Sequence, residues 1–446
     1  MRGHPHDHHI GLLDGLVQIG GGAQALGQLH LIAQVSRITV PLIDIRDSLG
    51  GARPLQGGAA PRHNRGHRGA PGSATEDDDL RFTKCCHARQ GMGPMRREYA
   101  LRQYEGVLID VTLTTGLNTM AAEAAEAEES GYAGIWTFEG AHDPFLPLLL
   151  AAEHTKSVML GTSIAVAFAR NPMLLATIGW DLQAYSGGRF ILGLGTQIKP
   201  HITRRFDMPW SSPAARMRDM VLAVRAIWQS WQERGALDYR GDFYQNTLMT
   251  PMFMPDPAEV SAFGPPPIWL AGVGTGMTEV AGEVADGFMS HPFCTPDYLT
   301  QVTRPTLGRG ALKSGKAPAD IQIHHSPMII IGRDDAELAS ARAAVRKQLA
   351  FYGSTPAYWP ILELHGRAEM GPELKERSKQ GEWEAMAALV DDDFVDTAAV
   401  TVTAPGQGAR ELRDRYGDLV HRLGFNTPYR PDRALLAELL AAFSSR

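Results

Sequence analysis

Residues 186–197, Ser-Gly-Gly-Arg-Phe-Ile-Leu-Gly-Leu-Gly-Thr-Gln, constrain this chain more than any other stretch. Two successive glycines can stop a helix, because glycine accepts the left-handed conformation that a helix terminus often needs. The apolar run from Phe190 to Leu194 is too short for a helix and fits a strand covered on both faces. It feeds a glycine-rich loop. In parallel α/β proteins the loops at the carboxyl ends of the strands hold the ligand. The segment therefore predicts a fold class and a site together.

The same alternation runs from residue 99 onward. Strands are predicted over 107–113, 134–138, 158–166, 190–194, 267–271, 287–290, 321–331 and 425–427. Helices are predicted over 117–130, 144–154, 172–185, 214–232, 277–285, 334–351 and 406–423, with a last one from 431. A small hairpin is predicted over 238–245. Val221, Val224, Ile227, Trp228 and Trp231 recur at helical spacing and predict a core-facing stripe. Charged, helix-like sequence over 355–395 breaks the rhythm and predicts an insertion. Eight strands alternating with helices point to an α/β fold of the (β/α)8 TIM-barrel type with insertions. An open doubly wound sheet is the alternative. Glycine-rich loops after both the fourth and fifth strands favour the barrel, where several loops share one rim.

Composition changes abruptly near residue 98. Only Phe82 among the aromatic residues lies in 1–98, and that stretch carries 12 Lys/Arg against 9 Asp/Glu, whereas the whole chain has a net charge of −6. Residues 50–72 are rich in Gly, Pro, Arg and His and cannot bury enough surface to offset their ordering entropy. The expectation is a low-complexity extension that is disordered or lies upstream of the true start, at Met92, Met95 or nearby. A targeting segment is a poor fit, since a cationic start followed by an apolar core and cleavage site is missing. The run His4-Pro5-His6-Asp7-His8-His9 has no fold around it to orient a metal. Residues 99–446 form the predicted barrel domain.

The negative charge argues against a general nucleic-acid binder. No apolar run reaches the roughly 20 residues of a membrane helix. Three cysteines, Cys85, Cys86 and Cys294, make no disulfide framework, so a cytoplasmic protein is expected. The loops at 193–195 and 272–276 do not complete G-x-G-x-x-G, since the third positions are Ile198 and Met277, and no G-x-x-x-x-G-K occurs. Glu139, His142 and Asp143 cluster at the end of the second strand. His142 suits proton exchange near neutrality. Asp143 suits a helix cap before Pro144, and Glu139 suits either a ligand or a nearby arginine. Lys199 and His201 are cationic candidates for an anionic ligand. The dispersed His and acidic residues predict no metal site.

Taken together, these residues resemble the bacterial luciferase-like superfamily, in the branch that uses the deazaflavin coenzyme F420. The likeness spans about 107–443. It is carried by 186–195, by Leu160-Gly161-Thr162-Ser163-Ile164, by Arg170-Asn171-Pro172 and by Ala285-Asp286-Gly287-Phe288. Gln197-Ile198-Lys199-Pro200-His201 with His142-Asp143-Pro144-Phe145 resembles a subgroup of actinobacterial oxidoreductases. The resemblance implies a deazaflavin across the carboxyl rim of the barrel, with a cis peptide at Ser163-Ile164 bulging against the back of its ring. It also implies that Gly195, Thr196, Gln197, Lys199, His201, Gly272, Val273, Gly274 and Thr275 bind the cofactor. Glu139 falls where sugar-phosphate dehydrogenases of this branch have an acidic residue near the ring. Those enzymes have His immediately after it and this chain has Gly140, so a sugar phosphate is not implied.

The implied activity is hydride transfer between F420 and a small organic substrate, with His142 or Glu139 as the acid/base group. One alternative is an FMN-dependent luciferase-like monooxygenase served by a flavin reductase. Another is a non-catalytic flavin- or deazaflavin-binding protein. A homodimer is expected from the apolar outer helices and from the family.

Overall fold

The computed structural model describes residues 106–114 and 116–444; the extension over 1–98, with its histidine run and Cys85-Cys86, lies outside them. Eight strands form the central sheet: β1 (Leu108–Thr112), β2 (Gly134–Thr137), β3 (Met159–Thr162), β4 (Phe190–Gly195), β5 (Ile268–Gly272), β6 (Gly287–Ser290), β7 (Gln322–His325) and β8 (Arg422–Leu423). Each pairs in parallel with the next, and β8 returns to β1, placing Leu423 opposite Ile109. The sheet is therefore a closed (β/α)8 barrel, as the alternation predicts, and the open-sheet alternative is excluded.

Strand alternation sorts the side chains. Ile135, Leu160, Phe190, Leu192, Leu194, Ile268, Leu270 and Phe288 point outward into one continuous core beneath the helices. Trp136, Ile191, Trp269 and Met289 point inward and form a separate cluster in the lumen. Two large indoles fit there because the neighbouring positions lack side chains: a Cβ on Gly161 would strike Trp136, and one on Gly287 would strike Trp269.

The lumen also holds one knot of charge. Asp110 of β1 is fully buried and accepts two hydrogen bonds from Arg422 of β8, at 2.6 and 2.7 Å. Trp136 Nε1 of β2 donates to the same carboxylate at 2.8 Å, and His324 Nε2 of β7 stands 3.7 Å away. Four strands are thus joined through one carboxylate across the seam where the barrel closes.

Helices α1 (Leu117–Glu129), α2 (Phe145–His154), α3 (Pro172–Tyr185), α4 (Pro213–Glu233) and α5 (Thr275–Val284) lie close to their predicted positions. The stripe on α4 is buried as expected. The 186–189 turn is built as its composition suggests. Gly187 and Gly188 take φ of 66° and 90°. Arg189 then donates to the carbonyls of Ala152, Thr155, Val158 and Ser186. A buried guanidinium thereby satisfies the open carbonyls at the end of α2, where a cation is electrostatically favoured.

Four expectations need correction. The strand predicted over 158–166 breaks after Thr162 and resumes only as Ala165–Val166. The strand predicted over 321–331 splits at Pro327, which has no N–H to continue the ladder. Its second half, Met328–Ile331, leaves the barrel and pairs with Ala399–Val402, a strand the reading missed. The last barrel strand is Arg422–Leu423, not 425–427, and the helix before it ends at Tyr416. Arg422 looks like a solvated helix position until its partner Asp110 is known. Arg304–Lys313, the helix between β6 and β7, was also missed. Its two glycines lower helix propensity, but Gly310 lies so close to Glu279 of α5 that a side chain would hit the Glu279 carbonyl. The 355–395 insertion is helical as expected, with Trp359–Leu364, Met370–Gln380, Trp383–Ala388 and Asp392–Ala398.

Asp110→Ala should leave the Arg422 guanidinium buried without its counter-charge. Such a break costs about 3–5 kcal/mol, and the urea midpoint should fall accordingly. An unchanged midpoint would mean that the knot does not hold the barrel seam.

Candidate active site at the carboxyl rim

The β2, β3, β4, β5 and β6 loops converge at the carboxyl end of the lumen. Under them Ile164 packs on the lumen cluster. The peptide between Ser163 and Ile164 is cis, as the resemblance implies. Gly195 at the end of β4 faces this residue: a Cβ there would sit 2.8 Å from Ile164 Cγ1. Glycine at 195 is therefore needed for the approach of the Ile164 side chain, a reason that spacing alone does not supply.

Glu139 follows β2 and is held through its backbone N–H and one carboxylate oxygen. Its backbone N–H donates to the Ile164 carbonyl at 3.0 Å. Its carboxylate Oε2 accepts from the Val166 N–H at 2.7 Å and from Arg170 Nη1 at 2.5 Å. Arg170 also donates to the Val166 carbonyl at 3.1 Å and to Asp143 Oδ2 at 3.1 Å. Of the two roles open to Glu139, pairing with an arginine is the one observed. Asp143 caps α2, accepting from the N–H groups of Phe145 and Leu146. His142 is exposed to solvent on the same loop.

The β4 loop is shaped by Gln197, which takes φ of 61° and accepts from the Ile198 N–H through its own side chain. Thr196 donates to the Gln197 carbonyl. Lys199 is exposed, whereas His201 is buried at the start of a single wide turn, His201–Arg205. That turn is tied to the β2 loop, since Arg205 Nη2 donates to the Gly140 carbonyl at 2.6 Å. On the β5 side, Gly272 and Val273 are half-buried, and Gly274 and Thr275 are exposed. Helix α5 begins at Thr275 rather than at the predicted 277, with Gly274 as its cap residue and no side chain capping it. Its first N–H groups are left facing open space, the usual setting for an anion.

Three contributors escaped the sequence reading. Arg170 was legible only as part of Arg170-Asn171-Pro172, whose Asn171 caps α3 through the Leu174 N–H; its partner Glu139 is 31 residues away. His291, just after β6, stacks on Tyr358 from the insertion at 4.5 Å between ring centroids and meets Tyr352 edge-on. Burial pushes the His291 imidazole down and the Tyr358 phenol up. Cys294 is buried, and burial pushes its thiol up to about 12. Among the described residues no group of His, Cys, Asp and Glu could hold a metal, and no helix is long and apolar enough to cross a membrane.

A closed parallel barrel with converging glycine-rich rim loops defines a class of ligand-binding α/β proteins. The model of the luciferase-like monooxygenase family matches residues 89–426, and the chain belongs to that family. It is 53% identical over 304 residues to an uncharacterised protein of Mycobacterium tuberculosis, covering 68% of this chain and 88% of that one. It is 25% identical over 324 residues to the 5,10-methylenetetrahydromethanopterin reductase of Archaeoglobus fulgidus, covering 70% and 91%. The structure of the coenzyme F420-dependent tetrahydromethanopterin reductase of Methanopyrus kandleri superposes with a TM-score of 0.59 at 21% identity, covering 75% of this chain and 97% of that one.

Three histidines give the fold a pH signature. Burial pushes fully enclosed His324 down to about 4, and His325 and His291 to about 3. In the unfolded chain all three protonate near 6.5. Between these limits the unfolded chain binds more protons, so stability is complete above pH ~6.5 and falls as pH drops toward ~4. Each histidine contributes a slope of about 1.4 kcal/mol per pH unit once fully engaged. Urea midpoints compared near pH ~7 and ~5 should show the loss, and His324→Asn should remove about a third of it.

Proposed function

We propose that the protein is a coenzyme F420-dependent oxidoreductase that transfers a hydride between the deazaflavin and an organic substrate at the carboxyl rim. The observation that carries this reading is the floor made by Ile164 over Gly195, beside the uncapped start of α5. A flat ring fits a floor kept low by glycine. An anionic chain fits exposed Gly274 and Thr275, where N–H groups are unspent and the helix dipole favours negative charge. A relative named as an F420-dependent glucose-6-phosphate dehydrogenase, 26% identical over 328 residues, supports the reading.

When bound, the deazaflavin supplies a two-electron hydride carrier, with carbon where a flavin has its oxygen-reactive nitrogen. The chain supplies the rest. Ile164 and Gly195 support the ring, with Ser163 and Thr196 beside them. Gly272, Val273, Gly274 and Thr275 hold the phosphate side. Gln197, Lys199 and His201 shape the loop that borders the cofactor, and exposed Lys199 brings a cation to its anionic tail. Glu139 Oε2 is taken up by Val166 and Arg170, and the group we assign to proton exchange is His142, which is solvent-accessible on the β2 loop.

Titrating the purified chain with F420 and with FMN, following cofactor fluorescence, tests the cofactor. Tight binding of F420 and weak binding of FMN is expected. The reverse order would make the protein a flavin-dependent monooxygenase instead. For a substrate found by screening F420 turnover, His142→Ala should lower kcat by about 10²–10⁴, the usual worth of a positioned acid/base group. An unaltered kcat would remove His142 from that role.

A further inference from the structure

The acidic residue at the end of β2 has a different task from proton transfer. We propose that Glu139 is a positioning residue: with Arg170 it clamps the 163–166 loop, and so holds the Ile164 side chain in place beneath the bound ring. The part played by the ring rests on the proposed function; the clamp itself does not.

Each contact of the pair points to the same loop. Glu139 grips both ends of a short main-chain span, its N–H on the Ile164 carbonyl and its carboxylate on the Val166 N–H. Arg170 closes the bracket by donating to the Val166 carbonyl as well as to Glu139. The loop thus has its Ile164 carbonyl held by the Glu139 main chain and both polar groups of Val166 held by two side chains of opposite charge. The guanidinium is held in turn, by Asp143 on one edge and over the Phe145 ring at 5.3 Å. Asp143 and Phe145 belong to the start of α2, so the clamp is anchored on a regular element rather than on another loop.

Stability alone is a weak reason for such a pair. Removing charges from water offsets much of what their attraction returns. What the arrangement supplies is geometry: Ile164 must stay close to Gly195, and the ladder that Ala165–Val166 makes with Leu194–Gly195 is only two residues long. Oε2 accepts from the Val166 N–H and from Arg170 at once, which is the geometry of a clamp. Holding a contact surface within a fraction of an ångström is worth much in a reaction that depends on reactant distance.

Glu139→Ala, Glu139→Gln and Arg170→Ala test the clamp. The Gln amide oxygen can still accept from the Val166 N–H. Glu139→Ala and Arg170→Ala should therefore each weaken F420 binding tenfold or more, while Glu139→Gln restores most of it and keeps both limbs of the kcat/KM pH profile. Hydrogen exchange over 159–170, measured without any cofactor, should rise in both alanine variants and stay near wild type in Glu139→Gln. If Glu139→Ala fails to fold, Arg170→Ala carries the same comparison. The proposal is overturned if Glu139→Gln loses a limb of the pH profile with cofactor affinity unchanged, because Glu139 would then be the acid/base group. It is equally overturned if exchange over 159–170 is the same in all four proteins. Failure of the wild-type chain to bind F420 would instead overturn the proposed function, and the exchange comparison would still decide the clamp.

Discussion

The buried carboxylate of Asp110 is the contact on which the barrel depends. A closed sheet has no free edge, but it must join its last strand to its first. Here the last strand is only two residues long, Arg422–Leu423, and two residues offer few ladder hydrogen bonds. Arg422 compensates by reaching across the seam with two short bonds to Asp110, and the Trp136 indole bonds the same carboxylate. Closing the seam brings the β1 and β8 ends of the sheet together. Only then do the loops after β2, β3, β4 and β5 face one another over a single lumen.

A second ionic cluster sits at the other end of that lumen and has another effect. Asp110 and Arg422 join strands, whereas Glu139 and Arg170 join loops. Both rely on the several fixed donors of a guanidinium: Arg422 spends two on the Asp110 carboxylate, and Arg170 divides its own between Glu139, Asp143 and the Val166 carbonyl. Arg189 spends its donors on main-chain carbonyls at the end of α2 instead. The apolar layer over the strands gives the barrel its bulk, and these arginines set where its ends and loops lie. Among the aromatic rings, Tyr358 and Tyr352 bring the helical insertion and its preceding helix against His291 at the rim, so the departure from barrel rhythm contributes to the site's edge.

Much of the fold was legible because its signals are local. Apolar runs of strand length, the glycines at 187 and 188, Asn171-Pro172 and the stripe on α4 each follow from propensity and periodicity within one element. Failures came where a distant partner overrides the local pattern. Arg422 looks like helix surface because its charge is unpaired until β1 lies beside it. Arg304–Lys313 looks too glycine-rich for a helix because the helix it packs against cannot be seen. At the rim, the glycine loops follow from the residue pattern, the cis bond at Ser163-Ile164 from the resemblance, and the Asp143 cap from capping logic. Arg170 and Tyr358 were not found, since neither sits in a motif that declares a partner.

The sequence by itself determined the class of fold, the order of its elements and the loops that carry the rim. Those depend on interactions among residues close in the chain, which periodicity and glycine placement report. The tertiary structure alone decided what each charged side chain does. Glu139, His142 and Asp143 lie within five residues and look alike as titratable groups. Folding gives the first to Arg170 and the Val166 N–H, leaves the second in solvent, and sets the third on the start of α2. The energy of a charge depends on burial and on partners brought from elsewhere in the chain, and neither quantity exists until the barrel has closed.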